Sequence, residues 1–433
     1  MDSAETLRIV IEEYWRNDLP LIKERNIVVD LDSDFIIDII GPRRAGKTYT
    51  MFHIIEELLK HKHIGKKQTI YINFENRKLF PLTDHYLNNI IQIIQEEDLL
   101  SKGKVYIFLD EIQNIDNWER YIRSIYDEFK GKIKIFISGS TSKLIKNEIG
   151  SLLTGRHLTT LVLPLSFIEF LNFNGFFLPK KFTEDDKSKI NKYLKDYIEF
   201  GGFPEVVQTI DKDAYIETLF SDIINRDVAL KVKNPVLLEE LAYFLCSNSS
   251  KLVSFNTLKN TFESRFKVSI PTLERMFYLM KEVFLFYDSL YFSFKLKNQM
   301  KYPKKIYCID TGFINHFGFK FSEDKGRLIE NLVAIELLRR KFLDSNIYYW
   351  KDYRQNEIDF VIKKGIRINK LIQVTYASSK ADINKREIQT LLKGSKELNC
   401  NNLVIITWNY EAKLMIGKKE ILIIPLSKWL INE

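Results

Sequence analysis

The sequence predicts an α/β protein, with an open parallel sheet first and a second, smaller α/β unit at the end. Short β-branched, largely uncharged runs alternate with helix-patterned segments between residues 34 and 165. A glycine-bearing loop at 41–48 lies between one such run and a helical pattern, where a strand-to-helix turn belongs. The same alternation restarts near residue 326, after a stretch that reads mostly as helices.

Residues 5–25 read as an amphipathic helix or helix pair leading into the first strand. The runs DFIIDII (34–40), TIYINFE (69–75), KVYIFLD (104–110), KIKIFISG (132–139) and TTLVLPL (159–165) follow. Continuous apolar runs suit strands buried on both faces of a parallel sheet. Between the first two, TMFHIIEELLKH (50–61) has apolar residues at helical spacing, the alternation of an open α/β sheet. The pattern turns helical over 166–230, broken by FGGFP at 200–204. Residues 235–300 give three helical runs and then VFLFYDSLYFSF (283–294), which reads as a β-hairpin. Together these make a winged helix-turn-helix with SIPTLERMFYLMKE (269–282) as its recognition helix; a helical bundle with a stray hairpin is the other reading. From 326 come a helix (327–341), strands YYWKD (348–352), EIDFVIKK (357–364) and KLIQVTYA (370–377), a helix (385–398) and strand LVIITW (403–408).

At 433 residues the chain has room for several domains. With 45% hydrophobic and 28% charged residues it is globular in composition rather than disordered. A net charge of +8 permits a nucleic-acid partner without requiring one. Cys246, Cys308 and Cys400 are far apart, with no CxxC pair, which argues against a disulfide framework and a structural zinc site. No run approaches the roughly 18 apolar residues of a membrane span, so no membrane partner and a cytoplasmic location are expected.

Gly41-Pro42-Arg43-Arg44-Ala45-Gly46-Lys47-Thr48 fits G-x-x-x-x-G-K-[ST] at every fixed position. Its glycines let backbone N–H groups curl around phosphate oxygens, and the following helix adds its dipole. Lys47 is placed for the β- and γ-phosphates and Thr48 for Mg²⁺. Asp110 ends an apolar strand and is the second expected Mg²⁺ residue; Glu111 beside it can deprotonate the attacking water. Ser140, with Ser138 as runner-up, is the expected polar sensor near the γ-phosphate. Arg156 reads either as an arginine finger for a neighbouring subunit's nucleotide or as an ordinary surface arginine. The expected ligands are therefore ATP and Mg²⁺; no guanine-reading NKxD-type element follows the Asp110 strand, which favours ATP over GTP.

With these motifs the chain resembles the AAA+-type P-loop ATPases of archaea and bacteria. The resemblance is carried by GPRRAGKT, YINFEN (71–76), FLDEIQNIDNWE (108–119), SGSTSKLI (138–145), LTGRHLTTLVLPLSFIEF (153–170), GGFPEVV (201–207), KKIYCIDTGF (304–313) and NEIDFVI (356–362). It implies an ASCE/AAA+ parallel sheet core over 1–165, a helical lid over 166–232, a winged helix-turn-helix over 233–300, and a linker with a restriction-endonuclease-like PD-(D/E)xK domain over 301–433. In that last domain the resemblance puts Glu330 and Asp359 at the carboxylate positions. Gln373-Val-Thr375 stands where an acid-x-Lys is wanted, so the ammonium is missing there. Lys380 is a distant substitute, and a fold kept for binding without cleavage is the favoured expectation. Lys363, Lys364, Arg367, Lys370, Lys380, Lys385 and Arg386 either contact phosphates or form a solvated surface. Ser269, Thr272 and Arg275 are the expected DNA-facing residues of the winged helix. The leading expectation is an Mg²⁺-dependent ATPase acting with double-stranded DNA, with a homo-oligomer implied by family and mechanism only. An ATP-gated switch for protein partners and an ATP-dependent nuclease are the alternatives.

Overall fold

The computed structural model describes residues 3–141, 153, 155–318, 325–341 and 346–432; the SGSTSKLI and LLTGR motifs lie partly outside them. The chain divides into two compact units, Met1–Val162 and Leu163–Glu433.

The first unit holds β1 (Ile36–Ile40), β2 (Thr69–Asn73), β3 (Val105–Asp110), β4 (Ile133–Gly139) and β5 (His157–Leu161), with helices α1 (Ser3–Arg16), α2 (Lys47–His61), α3 (His85–Glu96) and α4 (Trp118–Glu128). The strands form one sheet in the order β2-β3-β4-β1-β5, every neighbouring pair parallel. Every residue of β1, β3 and β4 is buried, which is why their sequences are apolar without alternation. Met51, Ile54, Ile55 and Leu58 of α2 pack with Ile37, Ile39, Phe108 and Phe136 of the sheet. The rings of Phe108 and Phe136 stack with centroids 4.4 Å apart. Trp15 at the end of α1 donates its indole N–H to the Thr69 carbonyl, 2.8 Å away, fixing that helix against β2.

The fifth strand runs earlier than its apolar run suggests, over 157–161 instead of 159–165. The His157 ring bonds the buried Asp38 of β1, which anchors the strand's beginning. Its end is set by Pro164, which has no N–H to continue a ladder.

The second unit begins with α5 (Phe167–Phe173), α6 (Glu184–Phe200), α7 (Pro204–Gln208) and α8 (Lys212–Asp222). Then come α9 (Pro235–Ser247), β6 (Leu252–Val253), α10 (Phe255–Phe262), α11 (Ile270–Glu282), β7 (Phe286–Tyr291), α12 (Leu296–Lys301) and β8 (Lys304–Cys308). The expected hairpin within 283–294 is a single strand. Its antiparallel partner is β8, which also pairs with β6. The remaining elements are α13 (Thr311–Phe317), α14 (Lys325–Lys341), β9 (Asn346–Lys351), β10 (Glu357–Lys364), β11 (Arg367–Val374), α15 (Lys385–Glu397), β12 (Leu403–Thr407), β13 (Ala412–Ile416), β14 (Lys419–Pro425) and α16 (Leu426–Asn432). β7 pairs in parallel with β9, so the strands of the three-helix segment and of the C-terminal segment form one nine-stranded sheet. One face of β10–β12 packs with α14 and α16 through Val333, Phe360, Ile372, Val404 and Trp429. The other packs with α15 through Ile358, Leu371, Leu391 and Ile405.

Two motifs far apart in sequence meet at one turn. Asp310 N-caps α13 by accepting from the Gly312 N–H and also accepts from the Gly202 N–H, both at 2.8 Å. Gly201 has φ 79°, and a Cβ there would lie 1.5 Å from Asp310 Oδ1. Only glycine fits a left-handed position that a buried carboxylate already fills.

Candidate functional site

The carboxyl ends of β1, β3 and β4 adjoin in the parallel sheet of the first unit, where α/β proteins bind their ligands. β1 runs directly into Gly41, whose φ is 154°. A Cβ there would sit 1.9 Å from the Val162 carbonyl oxygen, so the loop can start this close to the strand only with glycine. The loop closes through Ala45 N–H donating to the Pro42 carbonyl at 3.2 Å, with Arg44 at φ 61° and Gly46 at φ 99°. Arg25 Nη1 donates to the Ala45 carbonyl at 2.6 Å, and Arg43 Nη1 lies 3.9 Å from Glu75 Oε1. α2 begins at Lys47 with no acidic residue in its first turn, so its N-terminal field favours an anion.

Lys47 is buried, and its Nζ donates to the carbonyls of Gly41 at 3.2 Å and Pro42 at 3.1 Å. The same ammonium stands 3.8 Å from Glu111 Oε1. Thr48 Oγ1 donates to Asp110 Oδ2 at 2.7 Å, and the Tyr71 hydroxyl donates to that same oxygen at 2.9 Å. Ser138 Oγ donates to Asp110 Oδ1 and accepts the Glu111 backbone N–H at 3.0 Å. Asp110 is fully buried, and its described hydrogen-bond donors are hydroxyls and a distant amide, Asn73 Nδ2 at 3.5 Å. A buried carboxylate with neutral donors suits a hard cation, and Thr48 Oγ1 supplies the second oxygen beside it. The residues present therefore fit Mg²⁺.

Glu111 has φ 54°, a left-handed turn that ends β3 and carries its side chain toward Lys47. Gln113 donates to its other oxygen. Burial holds the Glu111 carboxyl above the usual carboxylate range, and Lys47 pulls it partway back. Burial, reinforced by Asp110, keeps the Tyr71 hydroxyl protonated.

Of the two serines at the end of β4, Ser138 makes the bridge between the acidic residues. Ser140 is buried just past the strand. Arg156 Nε donates to Asp127 Oδ1 of its own chain at 3.0 Å, a contact it would leave to reach a neighbour's nucleotide. Tyr71, Arg25 and Gln113 were not singled out from sequence. For Tyr71 the signal was available: β2 lies beside β3 with Asn73 opposite Asp110, and Tyr71 is two residues earlier on the same face. Ser138→Ala removes one donor from Asp110 and the anchor of the Glu111 N–H. It is expected to lower kcat by about 10- to 100-fold while leaving ATP affinity nearly unchanged, since it displaces the acidic pair rather than the loop. Steady-state rates alongside equilibrium ATP titrations check the split.

The second unit brings together the acidic residues expected from the nuclease-like resemblance, in altered company. Glu330 on α14 and Asp359 on β10 are both buried, and Lys305 of β8 lies between them, with Nζ 2.6 Å from Glu330 Oε1 and 2.9 Å from Asp359 Oδ1. Lys305 also bonds Glu357 Oε1. The ammonium beside these carboxylates thus belongs to β8, outside the Gln373-Val-Thr375 segment. Burial, with Asp359 nearby, pushes the Glu330 carboxyl up to about 8. Gln373 is buried on β11, and its Oε1 has no partner. On α11, Ser269 is the N-cap, accepting from Thr272 N–H at 3.3 Å, while Thr272 and Arg275 are exposed.

Comparison with known proteins agrees with this geometry. Residues 33–171 match the AAA domain family; 191–324 and 325–429 each match a domain of unknown function (DUF8612 and DUF4143). Uncharacterized protein MJ1544 of Methanocaldococcus jannaschii is 35% identical, over 98% of this chain and 95% of its own length. An uncharacterized protein of Haemophilus influenzae is 29% identical over 89% of this chain and 90% of its own. The Walker-type ATPase PABY2304 of Pyrococcus abyssi is 13% identical at a TM-score of 0.44, covering 73% of this chain and 94% of that one. No helix among the described residues is long and apolar enough to cross a membrane. The 35% identity across 98% of this chain places it in one family with the uncharacterized protein MJ1544, and the parallel sheet and phosphate loop of residues 33–171 are those of an AAA domain.

Proposed function

We propose that the chain is an Mg²⁺-dependent ATPase that uses its cycle to act on double-stranded DNA. The observation that carries the first half is the continuous hydrogen-bonded chain Thr48–Asp110–Ser138–Glu111. The loop's N–H groups and Lys47 hold the phosphates, and Thr48 and Asp110 hold the metal. Bound there, Mg²⁺ supplies positive charge to the phosphate oxygens. Glu111, with its proton affinity raised by burial, takes the proton of the attacking water. The Ser138 bridge fixes that carboxylate's backbone relative to Asp110, so base and metal residue keep one geometry. Arg156 acts, in this reading, only where a second copy draws it from Asp127.

The DNA half rests on the segment from α9 to β8. Its order, helix–strand–helix–helix–strand–short helix–strand, with strands arranged β6-β8-β7, supports a winged helix running from 235 to 308. α11 would be the recognition helix, exposing Thr272, Arg275 and Tyr278, and the wing carries exposed Lys295, Lys297 and Lys301. A specific feature favours a second reading. Phe294, Leu296 and Met300 in the same wing are 78%, 69% and 76% exposed, an apolar cluster that a protein partner would cover. The helices and mixed sheet of 325–432 support a restriction-endonuclease-like fold. Steady-state ATPase rates with and without double-stranded DNA, at two salt concentrations, separate the readings. Stimulation that fades at high salt is expected, because phosphate contacts release counterions. Rates indifferent to DNA at both salts would overturn the DNA half and favour the protein partner.

A further inference from the structure

We propose that Lys305 serves as an internal cation in the nuclease-like carboxylate cluster, taking the place of a divalent metal and locking β8 to α14 and β10. The argument starts from valence. An ammonium has three N–H donors and no acceptor. Lys305 Nζ donates to Glu357 Oε1 and Asp359 Oδ1 and stands 2.6 Å from Glu330 Oε1, so three carboxylates surround the ammonium. The carboxylates have further partners. Asp359 gives Oδ1 to Lys305 and Oδ2 to the Val374 N–H at 2.9 Å. Glu330 Oε1 takes both Lys305 and the Tyr307 hydroxyl, the latter at 2.9 Å, and Glu357 Oε2 faces Lys351 Nζ at 3.2 Å.

The cluster is largely enclosed. The Lys305, Glu330 and Asp359 side chains are 3%, 11% and 7% exposed, and Glu357 is 22% exposed. Among the described residues no three His, Cys, Asp or Glu side chains come together in a way that could hold a metal ion. The residues present therefore do not fit the metal that a nuclease of this fold would need. Two partnerless oxygens nearby, Gln373 Oε1 and Glu387 Oε2, do not reverse this. The first is a neutral amide oxygen that brings no charge, and burial pushes the Glu387 carboxyl up to about 7.

What the lysine does instead follows from where it sits. β8 is the central strand of the three-stranded β6-β8-β7 group, while Glu330 and Asp359 belong to the C-terminal segment. Alongside the charge lock, Asn331 of α14 pairs with both backbone groups of Cys308, Cys308 N–H to Oδ1 and Nδ2 to Cys308 O, each at 2.9 Å. The three-helix segment and the C-terminal sheet are thus fastened at consecutive points, and a buried ion pair of this kind cannot lose one partner cheaply.

The test is a Mn²⁺ titration of the full chain without nucleotide, read by the loss of the free-ion EPR signal. Wild type, Asp359→Asn and Glu330→Gln are expected to bind the same number of Mn²⁺ ions, because none belongs to this cluster. A Mn²⁺ ion bound by wild type and lost in either variant would overturn the proposal. In Lys305→Met, which leaves uncompensated carboxylates in the same place, one additional Mn²⁺ is expected, with a melting temperature that is lowered and then rises on adding Mn²⁺. A folded Lys305→Met that gains no ion would equally overturn it. If that variant does not fold, the wild-type comparison still decides.

Discussion

Lys47→Ala is expected to lose tight ATP binding, weakening it by at least about 100-fold. The ammonium is already held beside the loop by the Gly41 and Pro42 carbonyls, so little side-chain entropy is spent on aiming it at phosphate. Two charge-assisted hydrogen bonds to phosphate at about 1.5–3 kcal/mol each come to about 3–6 kcal/mol, at 1.4 kcal/mol per factor of ten. The loop itself should survive. Its shape is set by Gly41 and Gly46, by Ala45 bonding Pro42 and by Arg25 holding Ala45, none of which Lys47 makes. Equilibrium titration with a fluorescent ATP analogue, next to a melting curve, separates lost affinity from lost fold. Binding within a few-fold of wild type would remove the loop from the account.

Glu111→Gln is expected to do the opposite: to bind ATP and fail to turn it over, with kcat down by about 10²- to 10⁴-fold, the span that general-base catalysis contributes. Glutamine keeps the shape and still accepts the Gln113 amide, but its neutral carboxamide cannot take a proton. The backbone anchor to Ser138 is untouched by this change, so Asp110 and Thr48 stay where they are. Glu111 also faces Lys47 at 3.8 Å, and removing that charge leaves the ammonium freer for phosphate, which favours ATP retention. Asp110→Asn should behave differently, losing Mg²⁺-dependent affinity along with rate.

How much of this was legible in the sequence depends on the range of each contact. The strands of the first sheet and the loop of 41–48 are local: apolar runs, glycines and a strand-to-helix junction specify them within a few residues. The register that puts Asp110 beside Tyr71 and Ser138 is nearly as readable once a parallel order is assumed, yet the choice between Ser138 and Ser140 needs the actual end of β4. β13 and β14 went unread because their lysines and half-exposed alternation resemble a polar tail, although Gly417 at φ 61° makes the turn between them. The hairpin assigned to 283–294 failed for a different reason. A period-2 pattern announces a strand but not its partner, and β7 pairs with β8 and β9. Lys305 and Asp310 sat in a motif that could be quoted but not explained. Their partners lie 54 and 108 residues away, at Asp359 and Gly202.

The most direct test of the central claim is chemical quench of a single turnover, mixing excess protein with labelled ATP and Mg²⁺ and measuring ATP and ADP on the protein over time. Wild type should convert bound ATP to ADP and phosphate, while Glu111→Gln holds it as ATP over the same period. Conversion by Glu111→Gln at the wild-type rate, or wild-type protein that binds ATP and never cleaves it, would contradict the assignment of this site as an ATPase.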